Sequence, residues 1–230
     1  AEGARACFEA VKSSTEVLRV FVTEEAEHRY SEYVAPLISG SAETYYITPG
    51  VAEKISETKS PQGVFALCRM AENPPDFEQE GVYVLLSELQ DPGNIGTILR
   101  TCEAMNVRGV LLCSCADVYS PKVLRSTMGC LFRLPFTVLS STEEGLEKLH
   151  EHAVSCYAAA LSTEAKMLPE VQFAKKSCIV IGNEGNGLSS ESIAACDKTV
   201  MIPMPGRAES LNAASAAAIL IYSAAVQAGI

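Results

Sequence analysis

The chain has 230 residues, 48% of them hydrophobic and 20% charged, and a formal net charge of −10 at pH 7. This composition suits a globular protein with a core large enough for one large or two modest domains, and it excludes nucleic-acid binding by bulk positive charge. Its apolar runs fall short of the roughly 18 residues a membrane span needs, and Glu2, Arg5, Glu9 and Lys12 interrupt any secretory signal, so no membrane association is expected.

In chain order, the runs "VLRVFVT", "TYYIT" and "GVFALCRM" predict strands that alternate with helical segments as far as Met70. "AENPPDFEQEG" then breaks the periodicity with Pro74, Pro75 and the acidic Glu72, Asp76, Glu78 and Glu80. We therefore place a first domain at 1–70, a linker at 71–80 and a second domain at 81–230. Within the second domain six more apolar runs ("GVYVLLSEL", "GVLLCS", "FRLPFTVL", "SCYAAAL", "KSCIVIGN", "KTVMIPM") are separated by helical or loop segments, the pattern of an α/β domain with a mostly parallel sheet.

Three stretches of this second domain carry chemistry. In "LQDPGNIGTILRTCEAMN" (89–106), Asp91-Pro92-Gly93 forms a turn and Asn94 a helix N-cap, with Ile95, Ile98, Leu99, Cys102 and Met105 on an apolar face. Gly93, Gly96 and Thr97 leave space beside the Arg100 guanidinium for a planar anion, although a solvated arginine has the same pattern. Between 91 and 133 the basic residues Arg100, Arg108, Lys122, Arg125 and Arg133 outnumber Asp91, Glu103 and Asp117, which gives a local patch suited to a few phosphates.

In "CIVIGNEGNGLSSE" (178–191) a buried strand opens into a glycine-rich loop. The spacing of Gly182, Gly185 and Gly187 matches neither dinucleotide nor phosphate-loop fingerprints, and no lysine follows to hold a phosphate. Glu184 would repel phosphate and suits a cationic or hydroxylated group. In "VMIPMPGRAESLNAASAAAILIYS" (200–223), Pro203 and Pro205 end a strand in an irregular loop, Ser210 is placed to cap the last helix (211–227), and the small side chains of that helix permit close packing within the domain or between subunits.

Nine cysteines lie mostly inside apolar runs (Cys68, Cys102, Cys113, Cys178), the usage of a cytoplasmic protein with reduced thiols. Cys113-Ser114-Cys115 lacks a second pair, and His150 and His152 point to different helix faces, so no metal is expected.

In this order, "DPGNIGTILR", "IVIGNEGNGLS" and "IPMPGRAESLNAASAAA" resemble the three motifs of the SpoU (TrmH) branch of the SPOUT superfamily of RNA methyltransferases. The segment "YSPKVLRSTMGCLFRLPF" is similar to the stretch that the family carries between its first two motifs. "EGARACFEAVKSSTEVLRVFVTEEA" and "ISETKSPQGVFALCRM" resemble the small α/β, ribosomal-protein-like substrate-binding domain that often precedes it, in which Glu2-Gly3 would follow a first strand and helix. On this resemblance the N-terminal domain is expected to be incomplete.

The resemblance implies a deep trefoil knot in the C-terminal domain, against the usual rule for connections. It also implies S-adenosylmethionine as cofactor, a ribose 2′-hydroxyl of rRNA, or less readily tRNA, as substrate, and a homodimer with the active site at the subunit interface. Residues matching the cofactor site are Gly182, Asn183, Gly185, Ile202, Met204 and Leu211. Arg100 matches the catalytic arginine; Asn94, Glu184, Ser210 and Asn212 match the remaining motif positions, with Glu184 expected to fix Arg100 or its loop. A non-catalytic RNA-binding or ribosome-assembly protein that keeps the fold, and a base-modifying or tRNA enzyme, are the alternatives.

Overall fold

The structure, a computed structural model, describes residues 1–70 and 73–229. Along the chain the elements run α1 (Ala4–Lys12), β1 (Val17–Val22), α2 (Glu24–Arg29), α3 (Ser31–Ser39), β2 (Ser41–Tyr46), α4 (Pro49–Ile55), β3 (Val64–Cys68), β4 (Gly81–Ser87), α5 (Pro92–Ala104), β5 (Gly109–Cys113), α6 (Pro121–Thr127), β6 (Phe136–Leu139), α7 (Thr142–Glu151), β7 (Ser155–Ala159), β8 (Lys166–Met167), β9 (Lys176–Ile181), α8 (Ser190–Ala195), β10 (Lys198–Met201) and α9 (Ala213–Gln227). They form two compact units. One holds residues 1–70 together with 119–133, and the other holds 73–118 together with 134–229.

In the first unit β1 pairs parallel with β2 and antiparallel with β3. Val17, Val20 and Val22 of β1 are buried against Ala4, Cys7 and Ala10 of α1 and Val34 and Leu37 of α3. The i, i+3 spacing on α1 supplies the apolar stripe that this sheet covers. The excursion 119–133 joins this unit through close contacts. Ser120 caps α6, and Gly129, at φ 86°, turns the chain into a 3-10 turn at Cys130–Phe132. A Cβ on Gly129 would sit 2.4 Å from the Glu9 Cβ, so only glycine lets the turn approach α1 this closely.

Two arginines of the excursion are held by acids. Arg125 donates to Glu2 at 2.9 Å, while Glu2 also accepts from the Ser56 (2.6 Å) and Thr58 (2.9 Å) hydroxyls, and Arg133 pairs with Glu9. The basic patch read from the sequence is therefore smaller than its residue count, because Arg125 and Arg133 are neutralised inside this unit.

In the second unit seven strands lie in the order β6-β5-β4-β9-β7-β10-β8, and every pair is parallel. Val82 to Leu86 of β4 are buried, as expected of a central strand covered on both faces. β8 was not read from the sequence because Lys166-Met167 is exposed and carries no apolar run. The run "FRLPFTVL" yields strand only at Phe136–Leu139, because Phe132 ends a 3-10 turn and Pro135 cannot donate to a ladder. Of the expected linker, 71 and 72 lie outside the described residues. Residues 73–80 pack on this unit: Phe77 is in its core, and the Tyr83 hydroxyl is shared between the Asp76 and Gln79 carbonyls.

The strand order creates the place for a site. From β4 the chain steps outward through β5 and β6, then returns to β7 and leaves the position beside β4 for β9. The loops after β4 and β9 therefore diverge from neighbouring strands at a topological switch point, where open parallel sheets bind ligands at their carboxyl ends. α9 returns over β4 and β9 and packs on α5. Among the described residues no helix is long and apolar enough to cross a membrane.

Candidate active site

α5 starts one turn earlier than the sequence suggests. The Asp91 side chain caps it, accepting from Asn94 N at 2.8 Å, and Pro92 occupies the first turn. A residue before proline is pushed toward extended backbone, which is N-cap geometry, so Asp91-Pro92 forms a pre-set cap and first helical residue. The expectation that Asn94 is the cap is thereby corrected, and its side chain is free for other partners. Its Nδ2 donates to Glu184 Oε1 at 3.2 Å, and its Oδ1 accepts from Asn212 Nδ2 at 3.0 Å.

Glu184 also accepts the backbone N–H of Asp91 (3.0 Å) and Gln90 (3.3 Å). Partial burial pushes its carboxyl up, but hydrogen bonds from its own backbone, Asp91, the Asn94 amide and Gln90 outweigh this and hold it below the usual carboxylate value. Glu184 thus fixes the loop that leads into α5.

Asn212, not Ser210, caps α9: its Oδ1 accepts from Ala214 N (2.9 Å) and Ser215 N (3.3 Å). Asparagine here serves both tasks, because Oδ1 caps the helix while Nδ2 reaches Asn94. Ser210 remains exposed on the preceding loop.

The loop after β9 is shaped by Asn183. Its backbone pairs with Gly187, and its Oδ1 accepts from Gly185 N (2.9 Å) and Asn186 N (3.2 Å). Its Nδ2 donates to the Glu88 carbonyl at 2.9 Å, so the β9 loop holds the β4 loop at a second point. Gly182 is required by close approach, since a Cβ there would lie 2.3 Å from the Gly187 carbonyl carbon and 2.4 Å from Leu188 N.

Around these loops lies a cleft of about 390 Å³. Gly182, Asn183, Gly185, Ile202, Met204 and Leu211 all line it, together with Glu184 and Ser210. Asn94 and Asn212 connect to its wall through Glu184. Arg100 is exposed on α5, and among the described residues its guanidinium has no hydrogen-bond or ion-pair partner, Glu184 included.

Three contributors escaped the sequence reading. Gln90 donates its side-chain amide to the Glu88 (3.2 Å) and Ser114 (3.0 Å) carbonyls and so ties the ends of β4 and β5 together. Ala159, which ends β7, with Ala160 and Leu161 just after it, and Ala216 and Leu220, on α9, also line the cleft. The small residues that end "SCYAAAL" are the only sequence signal for the second contributor, and nothing in the sequence marks Gln90 or Leu220.

The profile of the SpoU rRNA Methylase family matches residues 81–222, and that of RNA 2′-O ribose methyltransferase substrate binding matches residues 1–74. The chain belongs to the SpoU rRNA methylase family. This SpoU-family chain is 31% identical over 222 residues to the 23S rRNA (guanosine(2553)-2′-O)-methyltransferase RlmP of Bacillus subtilis, covering 96% of this chain and 86% of that protein. It is 32% identical to the tRNA (guanosine(18)-2′-O)-methyltransferase of Thermus thermophilus, over 64% of this chain and 75% of that one. Its fold matches the crystal structure of the SpoU methyltransferase AviRb from Streptomyces viridochromogenes in complex with AdoMet, with a TM-score of 0.84 and 29% identity, covering 99% of this chain and 89% of that one.

The cleft suits S-adenosylmethionine on its own chemistry. Its volume is in the range of small-molecule sites, Leu161, Leu188, Ile202, Met204 and Leu220 provide apolar walls, and glycines bring backbone polar groups to its rim. It holds no lysine or arginine that would select a phosphate group.

Proposed function

We propose that this protein, an S-adenosylmethionine-dependent RNA 2′-O-methyltransferase, acts on rRNA, with Arg100 as the residue that meets the reacting ribose. The observation that carries this reading is the Glu184–Asn94–Asn212 chain, which ties all three motif loops together beside the cleft. The choice of rRNA is supported by alignment with the Bacillus 23S enzyme across 96% of the chain, compared with 64% for the Thermus tRNA enzyme.

S-adenosylmethionine supplies an electrophilic methyl group on a sulfonium. In our reading Gly182, Asn183, Gly185, Ile202, Met204 and Leu211 hold it, and the loops 182–187 and 202–212 belong to a trefoil knot. The return of α9 over β4 and β9 after β10 supports that threading. A ribose hydroxyl is a weak nucleophile at neutral pH, so its developing alkoxide needs a fixed positive field. Arg100 provides it while gripping an adjacent RNA phosphate, as a fixed charge and not as a base. Asn94 and Glu184 hold α5 and its entry loop in register, Asn212 locks α9 to them, and Ser210 contacts the substrate.

Residues 1–70 act as the RNA-binding domain. We further infer a homodimer through α9, whose Ile219, Tyr222 and Val226 are 41%, 60% and 49% exposed and fall on one helical stripe. The nine free cysteines support a cytoplasmic location.

The test is transfer of labelled methyl from S-adenosylmethionine to unmodified rRNA and tRNA transcripts, followed by digestion to nucleosides. Label in a 2′-O-methyl nucleoside of rRNA is the expected result. Label confined to tRNA, or found in a base, would contradict the substrate assignment.

A further inference from the structure

At the amino ends of the strands, on the side of the sheet away from the cleft, three metal-ligating side chains meet. His150 lies in the last turn of α7, Cys156 is the second residue of β7, and Asp197 immediately precedes β10. Their ligand atoms all lie within 4.8 Å of one another. We propose that His150, Cys156 and Asp197 form a Zn²⁺ site, with solvent in the fourth position.

Four features of the geometry carry this. The His150 Nε2 to Asp197 Oδ2 separation is 3.3 Å. A charge-assisted hydrogen bond is shorter, about 2.7–2.9 Å. Two ligands at about 2.0–2.1 Å from a tetrahedral zinc are separated by roughly 3.3–3.4 Å, which is the spacing of this pair; the Cys156 sulfur, within 4.8 Å of both, closes to roughly 3.5 Å as the metal binds.

Asp197 is also held in place from behind. Its Oδ2 accepts the Cys156 backbone N–H at 2.7 Å, so the carboxylate is fixed beside the thiol by the peptide that bears it. Such outer contacts orient ligands in metal sites. The strand and helix frame supplies the other two positions.

Charge and access also fit. A thiolate, a carboxylate and a neutral imidazole around Zn²⁺ sum to zero, which suits a half-buried location better than any single charged member. The carboxyl end of α7 favours a cation near His150. Cys156 is fully buried, whereas the His150 and Asp197 side chains are 40% and 47% exposed, so a metal enters from solvent and meets the sulfur on its inner side. On binding, the S–H bond breaks, the Zn–S bond forms and the proton leaves to water.

This departs from the expectation of no metal, which rested on the lack of paired short-range ligand spacings. The three residues are brought together only by the parallel pairing of β7 with β10 and by the packing of α7 on β7.

The test uses the full chain, reduced and treated with chelator, with Co²⁺ and Zn²⁺ as probes. Co²⁺ is expected to give a thiolate-to-cobalt charge-transfer band at one ion per chain, displaced by Zn²⁺. The band should be absent in Cys156→Ser, and affinity should fall at least about tenfold in His150→Ala and in Asp197→Asn. The last two residues are exposed enough that their variants fold even if the first does not. No band in the wild-type chain would overturn the proposal, and an undiminished band in His150→Ala and Asp197→Asn would overturn it by placing the ion on another thiol.

Discussion

Asn94 and Asn212 stand 118 residues apart in sequence and meet side chain to side chain, Asn212 Nδ2 donating to Asn94 Oδ1 at 3.0 Å. Because Asn212 caps α9 and Asn94 sits in the first turn of α5, this bond sets the two helices in register beside the cleft. The bond is exposed, so removing either amide costs about 0.5–1.5 kcal/mol of stability, the other amide turning to water. Asn94→Ala and Asn212→Ala should each slow methyl transfer about 10- to 100-fold, with a smaller change in cofactor affinity. The double variant should lose less than the product of the two. Single-turnover rates of all four proteins give the coupling, and strict additivity would show that the bond plays no part in catalysis.

Glu184 makes a pH-dependent contribution whose sign follows from its lowered carboxyl value. The native state binds this proton less readily than the unfolded chain, so the stabilisation is complete above the ordinary carboxyl pKa of 4.5 and is lost as pH falls through the lower native value. Glu184→Gln removes the titration. The difference in thermal midpoint between wild type and variant should be constant from pH 6 to 8, on the order of the usual working range, and should shrink at acid pH below the unfolded value. A difference that grows on acidification would reverse the sign.

Gly182→Ala should be far more damaging than Gly206→Ala. At Gly182 a methyl group meets backbone atoms of Gly187 and Leu188, whereas at Gly206 nothing lies within 4 Å. The first change should cost about 1–3 kcal/mol of stability and weaken S-adenosylmethionine binding more than about tenfold, because the β9 loop must shift. The second should stay within about 0.5 kcal/mol. Urea unfolding and calorimetric titration of both variants check this.

Much of this could be read from the residues. β4, β5, β7 and β9 appeared as continuous apolar runs because strands buried on both faces must be apolar throughout, and Pro203-Met204-Pro205 marked where a ladder has to stop. Cap assignments at Asn94 and Ser210 failed for one shared reason. Several cap-competent residues stood close together, and only the backbone before Pro92 and the reach of Asn212 to Asn94 decide between them. The clamp by Glu184 and the His150–Cys156–Asp197 group depend on contacts between distant residues, which local periodicity cannot encode.

The exposed stripe on α9 yields a prediction about assembly. Tyr222→Asp combined with Ile219→Asp places two charges on a face that the proposed dimer buries, while leaving Leu220 and Ile221 on the core side intact. The wild-type chain should sediment as a dimer and the variant as a folded monomer with reduced transfer activity. A wild-type monomer with full activity would remove the dimer from the account.

The central claim is that Arg100 acts on the reacting ribose and not on cofactor binding. The most direct measurement is single-turnover methyl transfer to rRNA by Arg100→Ala, with S-adenosylmethionine affinity measured on the same preparation. The account predicts a rate lower by about 10³-fold or more with cofactor affinity within about twofold of wild type, as for loss of a group that stabilises the developing charge. An unchanged transfer rate with cofactor still bound would contradict it.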